Sequence, residues 1–379
     1  MGGAVDSKKQ ERQESEDSMK GTPTLNGVRV VSFSYAAPGH DGVPGRVVSN
    51  DELAEMLRQH GEQRIVEEKL TGEARELCLK NTTTNSAWII ENTHIQTRCF
   101  PPTGFGPEYL AVAAVQRALL GIGIDRQDID GIYVASVTGK SSPPIFSSVA
   151  HDAGIGRMVK SGSRVIHGSD ISAACSSFHR AFECAYHAIT AGTCRKVFVV
   201  GVDTMPDLIN WQLRDFSILL GAAGACFLLE QCPIEESAFP PNAFYSVVRG
   251  EGRGMIVERD WKLYMEGQKV FKAVIPFARS IILEGLAYAG IDIKDIKFLG
   301  LHQANGVMDD AITDLLRRKD DFSGNTFSNI ERYGNTTSAS IPLLCAEAHE
   351  EGILRPGMMV MLAAFGGGLT GGSVIFRWM

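Results

Sequence analysis

The run Gly168–Ala191, GSDISAACSSFHRAFECAYHAITA, changes character at Cys175. Before it stand the small residues Ser172, Ala173 and Ala174. After it, Phe178, Phe182, Ala185 and Ile189 recur at spacings of four, three and four, one face of an amphipathic helix. The periodicity predicts a helix that opens just past Cys175. Unpaired backbone N–H groups and the positive dipole end gather there, and both favour a thiolate, the reactive form of cysteine. Free cysteine is also among the most buried residue types and commonly just packs, so this stretch offers a nucleophile without requiring one.

Working outward, the chain repeats itself. GIDRQDIDGIYVAS (123–136) is echoed by GIDIKDIKFLGLHQ (290–303). Each copy follows an apolar-periodic helix, turns at Gly-Ile-Asp and enters a strand near Ile129 or Ile296. Further on, GTCRKVFVVGVD (192–203) pairs with GILRPGMMVMLAAFG (352–366), and the copies close with GACFLLE (224–230) and GSVIFRW (372–378). Strands and helices that alternate and repeat predict two α/β halves sharing one core, residues 27–231 and 232–379. A first strand is expected over Val28–Ser34. Residues 1–26 are polar and nearly free of large apolar side chains, the composition of a disordered tail, and residues 50–80 carry helical spacing, read as one or two surface helices.

The 379 residues are 44% hydrophobic and 21% charged, with a net charge of −7. That balance excludes a basic field for nucleic acid, and no apolar run of about 18 residues is present to span a membrane. The eight cysteines lack CxxC or metal-ligand spacing, which points to free thiols in a reducing cytoplasm.

The repeat carries three polar residues to equivalent strand ends, where α/β architectures concentrate chemistry. Cys175 lies in the first half; His302 ends a strand in LHQAN; Asn335 lies in ERYGNTTSASIP, the counterpart of the cysteine turn. Cysteine, histidine and asparagine form a recurrent nucleophilic set: imidazole exchanges a proton or stabilises charge, and the amide donates a further hydrogen bond. Singly, His302 reads equally as a core histidine and Asn335 as a turn former. The glycines of Phe365-Gly366-Gly367-Gly368 allow close backbone approach and an N–H aimed at an oxyanion. A papain-like protease also runs Cys, His, Asn, with about 130 to 150 residues from cysteine to histidine, against 127 here; its C-G-S-C-W context near a mature N-terminus is absent.

AACSS around Cys175, HQAN at His302–Asn305, YGNTTSASIP around Asn335, MEGQKVFK at Met265–Lys272 and AAFGGGLTGGS near the end together resemble the β-ketoacyl-ACP synthase III family of the thiolase-like superfamily. The resemblance, over residues 28–379, implies an α/β thiolase-like fold: two duplicated βαβαβαββ halves layered α/β/α/β/α. It implies that Cys175 takes an acyl group as a thioester from CoA or an acyl carrier protein. His302 and Asn335 then hydrogen-bond a malonyl or β-ketoacyl thioester through decarboxylative Claisen condensation, in lipid or polyketide biosynthesis. The backbone N–H groups of Cys175 and Gly367 form the oxyanion hole, Phe365 shields the malonyl carboxylate, Trp88 stacks on the CoA adenine, and Phe146 in PPIFSS closes the acyl pocket of a partner in a homodimer. No metal, flavin or nucleotide cofactor is implied. The alternative is an acyltransferase of the same fold that passes the acyl group to an oxygen or nitrogen nucleophile without condensation.

Three relatives are set aside on absences. A degradative thiolase carries a second cysteine where this chain has Leu369-Thr370-Gly371, type III polyketide synthases favour GFGPG over FGGG, and a chain-length-factor-like pseudoenzyme lacks the cysteine. Two departures from the pattern stand out. Asn92 occupies the place of an arginine expected across the Trp88 ring, which weakens the case for CoA. The helix after HQAN presents Val307, Asp309, Asp310 and Asp314 where basic residues would meet an acidic carrier, with Arg317, Arg318 and Lys319 one turn on. With the segment 50–83, these departures point to specialised biosynthesis.

Overall fold

The computed structural model describes residues 26–120, 122–139, 142–252, 254–260 and 262–379. The expected tail therefore lies outside the described residues, except for Asn26.

Five strands of the first half, β1 (Gly27–Ala36), β2 (Gly131–Ala135), β3 (His167–Ile171), β4 (Lys196–Thr204) and β5 (Ala222–Cys232), form one sheet in the order β1-β5-β4-β2-β3. Five more, β6 (Phe244–Val248), β7 (Phe298–Leu301), β8 (Asn325–Thr326), β9 (Met359–Gly366) and β10 (Thr370–Arg377), repeat that order as β6-β10-β9-β7-β8. The directions repeat too: in each sheet the first two pairings are antiparallel and the last two parallel. The duplication read from the sequence extends to single hydrogen bonds. Asp125 Oδ1 accepts from the Gln127 N–H and Asp292 Oδ1 from the Lys294 N–H, both at 2.9 Å. These Asx-type caps hold short 3₁₀ turns, Arg126–Asp128 and Ile293–Asp295. The turns delay the strands to Gly131 and Phe298, so Ile129 and Ile296 become buried plugs rather than strand residues.

Two helices, Ser177–Thr190 and Ser340–Glu350, lie between the sheets and touch strands of both. Glu108–Leu119 packs outside the first sheet and Gly267–Ala289 outside the second, completing five layers. Phe178, Phe182, Ala185 and Ile189 are all buried on the inward face of the first central helix. Phe182 meets Phe227, Phe239, Phe244 and Phe376 edge-on, so one side chain joins strands of both sheets. The halves approach so closely that a Cβ on Gly201 would sit 2.1 Å from the Ser338 carbonyl oxygen.

Residues 50–82 form two helices, Asn50–Glu67 and Gly72–Thr82, followed by Ser86–Thr93. They are more than surface decoration. Leu53, Leu57 and Ile89 are buried in one cluster with Met205, Leu208, Phe216 and Ile218, so this segment backs one wall of the central cavity.

Candidate active site

Cys175 follows β3, two residues before the helix Ser177–Thr190 begins. The turn between them is sharp: Ala174 has φ 51°, a left-handed conformation that costs a non-glycine residue about 1–2 kcal/mol. The other half repeats this elbow. Thr337, also three residues before its central helix, has φ 50°, and for a β-branched residue that is a pronounced outlier. Asn335 sits just ahead of it, its N–H bonded to the Leu219 carbonyl at 2.6 Å. His302 follows β7, and its N–H donates to the Ala363 carbonyl at 2.9 Å.

Cys175, His302, Asn335, Phe365, Gly367 and Trp88 all line a single cavity of about 690 Å³. Apolar side chains dominate its walls, with Met205, Leu208 and Leu263 on one side and Val270, Phe271 and Met308 on another. Phe365 and His302 stand with ring centroids 5.6 Å apart. Gly366 packs against the Cys175 backbone so tightly that a Cβ there would lie 2.7 Å from the Cys175 nitrogen.

The electrostatics depart from the sequence reading in one respect. Burial pushes the Cys175 thiol up to about 12, and the nearby carboxylate of Asp203 adds to the rise. The helix N-terminus is present, yet dehydration outweighs it, and the thiol is held neutral. Burial likewise pushes the His302 imidazole down to about 3, so it too is neutral. Its Nδ1 lies 2.7 Å from Ser340 Oγ, and its buried Nε2 has no hydrogen-bond partner among the described residues. Asn335 Oδ1 accepts from the Thr337 N–H at 2.9 Å, while Nδ2 makes only a long 3.4 Å contact to the Ala304 carbonyl. The amide N–H group is thereby left to serve as a donor within the cavity.

Asp203, fully buried at the end of β4, was not legible as a site residue. Its carboxylate accepts from the N–H groups of Val137 and Thr138 in one half and of Ser338 in the other. It fastens a cavity wall to the loop that carries Asn335.

Two expectations are revised by placement, those for Asn92 and Asp309. The arginine missing at Asn92 is supplied from elsewhere in the chain: the Arg214 guanidinium lies 4.5 Å from the Trp88 ring centroid. Asn92 instead bonds the Trp88 carbonyl and accepts from Asn305 Nδ2. No local motif links positions so far apart. Phe146, expected at a partner's pocket, is not among the residues lining this chain's own cavity. It is the second residue of the helix Ile145–Asp152, its N–H donates to Asp170 Oδ1 at 2.9 Å, and its half-buried ring packs beside Gly168 on β3. Asp309 is not on the surface of the helix Gly306–Lys319. It is buried, both carboxyl oxygens lack hydrogen-bond partners among the described residues, and burial with the neighbouring Asp310 raises it well above the usual carboxylate range. Asp310 and Asp314 remain exposed.

Residues 169–244 match the 3-oxoacyl-[acyl-carrier-protein] synthase III family, and residues 286–378 its C-terminal region. The chain is 31% identical over 296 residues to β-ketoacyl-[acyl-carrier-protein] synthase III 1 of Bacillus anthracis, covering 78% of this chain and 91% of that protein. Among solved structures, 3-oxoacyl-(acyl carrier protein) synthase III of Pseudomonas aeruginosa superposes with a TM-score of 0.75 at 28% identity, over 93% of this chain and 98% of that one. A priming β-ketosynthase of a polyketide pathway gives 0.76 at 25% identity, over 94% and 98%. A duplicated α/β fold with this match over most of both chains belongs to the β-ketoacyl-ACP synthase III family, and the protein is accordingly a ketosynthase, an acyltransferase of that family.

Proposed function

We propose that Cys175 takes an acyl group from a thioester and that the same cavity then condenses it with a malonyl or β-ketoacyl thioester. The observation that carries this is the meeting of Cys175, His302 and Asn335 in one apolar cavity against the Phe365–Gly367 backbone. Apolar walls suit an acyl chain. The Cys175 and Gly367 N–H groups are the proposed oxyanion hole, Phe365 shields the departing carboxylate, and Asn335 Nδ2 donates to the enolate oxygen. His302 supplies the second donor once Nε2 carries a proton.

The donor is proposed to be a CoA or carrier-protein thioester entering past Trp88. Arg214 over the Trp88 ring restores a pairing that suits an adenine, although the two groups now touch and must part to admit it. A homodimer is proposed in which Phe146 closes the partner's pocket. Its support is the position of β3 at the edge of its sheet, with Phe146 beside it and the apolar Met158 and Val165 exposed nearby at 44% and 43%.

Incubation with a panel of acyl-CoA and acyl-carrier thioesters, read by intact-protein mass spectrometry, tests the loading step; one acyl mass is expected on wild type and none on Cys175→Ala. Release of labelled carbon dioxide from a malonyl thioester then separates condensation from transfer to an oxygen or nitrogen nucleophile. A loaded enzyme that releases none from any extender would favour the transferase.

A further inference from the structure

The duplication makes Asp203 and Gly366 equivalent residues. Gly131, the first residue of β2, pairs with Val197, and Phe298, the first residue of β7, pairs with Val360. Counting on equally from Val197 and Val360 reaches Asp203 on β4 and Gly366 on β9. The elbows match in the same way. Ala174 and Thr337 have φ of 51° and 50°, and Cys175 and Ser338 come next, each followed by one residue and then a central helix. In both halves the strand-end residue therefore meets the residue just past the left-handed turn. At the first elbow that residue is Gly366, which adds no side chain against the Cys175 nitrogen, and the cavity reaches both. At the second it is Asp203, whose Oδ2 accepts from the Ser338 N–H at 3.0 Å. A carboxylate oxygen held by an N–H just ahead of a helix stands where a developing oxyanion would stand at the cysteine elbow.

The second elbow carries Asn335. The Asn335 N–H donates to the Leu219 carbonyl at 2.6 Å, and its carbonyl accepts from the Gly221 N–H at 3.0 Å. Its side-chain Oδ1 accepts from the Thr337 N–H at 2.9 Å, and this bond sets the direction of Nδ2. Thr337 is β-branched and left-handed, a conformation that persists only where the surroundings impose it. Asp203 Oδ2 holds the next N–H along, and Gly201, also on β4, abuts the Ser338 carbonyl. The other oxygen, Oδ1, serves the first half, accepting from the N–H groups of Val137 and Thr138 at 2.8 and 2.9 Å.

We infer that Asp203 is a positioning residue for condensation: its carboxylate occupies the oxyanion place of the second elbow and so holds the Asn335 amide towards the enolate. The inference rests on the condensation reading of Asn335. Because the two oxygens serve different halves, Asp203→Asn separates them. An amide keeps one acceptor oxygen. In the place of Oδ1 it retains the Val137 and Thr138 bonds, and it then turns its NH₂ group against the Ser338 N–H.

On enzyme already acylated at Cys175, Asp203→Asn should lower kcat for carbon dioxide release from a malonyl thioester by about ten- to a hundredfold, the scale of one hydrogen bond to a charged group. KM for that thioester and the rate of acyl loading should stay within a few fold of wild type. Release at the wild-type rate would overturn the inference. So would an equal fall in loading and release, since a loosened frame slows both. If Asp203→Asn does not fold, Ser338 replaced by its α-hydroxy acid gives an ester that lacks only the N–H, and the same selective loss is expected; wild-type release from it would overturn the inference. In enzyme labelled with ¹⁵N-asparagine, the side-chain amide resonance lost in Asn335→Ala identifies this group, and it should move in either variant. An unmoved resonance would overturn the inference even if wild type releases no carbon dioxide, a result that would instead refute the condensation reading.

Discussion

At the scale of single residues, the site keeps two groups neutral over a wider pH range than water does, and each leaves a signature in pH. His302 has its pKa lowered to about 3 in the fold, against about 6.5 unfolded. The unfolded chain therefore binds a proton that the native site refuses as pH falls from about 6.5 towards 3, and stability falls with it, by about 1.4 kcal/mol per pH unit for each such group. His302→Ala should flatten the acid limb of an unfolding free energy–pH curve measured in urea; an unchanged slope would show that the buried imidazole is not held neutral. Cys175 works in the opposite direction: raised to about 12 in the fold, it contributes stability that is lost as pH rises past the thiol's ordinary value of about 8.5. For catalysis, removing one donor at a developing oxyanion costs about 10²–10³ in rate. Asn335→Ala should lose carbon dioxide release by that factor while acyl loading of Cys175 stays within a few fold. Equal loss of both steps would place Asn335 in the framework rather than at the enolate.

At the scale of elements, the central helix Ser177–Thr190 and the outer helix Gly306–Lys319 show opposite uses of burial. Phe182 bridges the two sheets, and truncating such a core aromatic costs about 3–5 kcal/mol, so Phe182→Ala should lower the unfolding free energy by that much. Asp309 lies in the first turn of the other helix, where the dipole favours an anion, but it is buried without a hydrogen-bond partner among the described residues, and burial raises its carboxyl well above the usual range. Each unit of raised pKa costs about 1.4 kcal/mol at neutral pH. Asp309→Asn should therefore stabilise the protein at pH 7, with the gain shrinking towards pH 4 where the unfolded carboxyl also protonates; no gain at pH 7 would mean the carboxylate is charged and solvated. These two helices also mark what the sequence could convey. The spacing of Phe178, Phe182, Ala185 and Ile189 named a buried face because all four are apolar. On the second helix Asp309 shares a face with Met308, Ile312 and Thr313, and an acid among apolar neighbours reads as a surface residue until the packing is seen. Arg214 over Trp88 and Ser340 behind His302 were equally hidden, since side chains from separate segments meet only after folding. The thiol's state was misjudged because a helix terminus is visible in sequence and the dehydration opposing it is not.

At the scale of the whole molecule, the duplicated sheets end differently. The first ends in β3, five residues long and, among the described residues, paired only with β2. An open strand edge invites pairing and is usually covered, charged or bent away. Here the neighbours of that edge are Phe146, half-buried against Gly168, and a small hairpin, Arg157–Met158 with Arg164–Val165, that leaves Met158 and Val165 exposed. Apolar side chains flanking an unpaired edge are the composition of an interface between copies. A twofold contact would place the β3 of one protomer beside that of its partner and carry each Phe146 towards the other's cavity. A stable contact of this kind buries about 1,200–2,000 Å² in total, so the dimer should dominate in sedimentation velocity at micromolar concentration. Met158→Glu with Val165→Glu adds two charges at positions exposed in the single chain, and should yield a folded monomer with unchanged near-ultraviolet circular dichroism. Phe146→Ala should keep the dimer yet alter which acyl lengths load Cys175, because a ring is removed from the pocket and not from the core of the contact. A wild-type monomer under these conditions would remove the interface altogether. A dimer that survives both glutamates would move it to another face and leave Phe146 as packing for its own sheet.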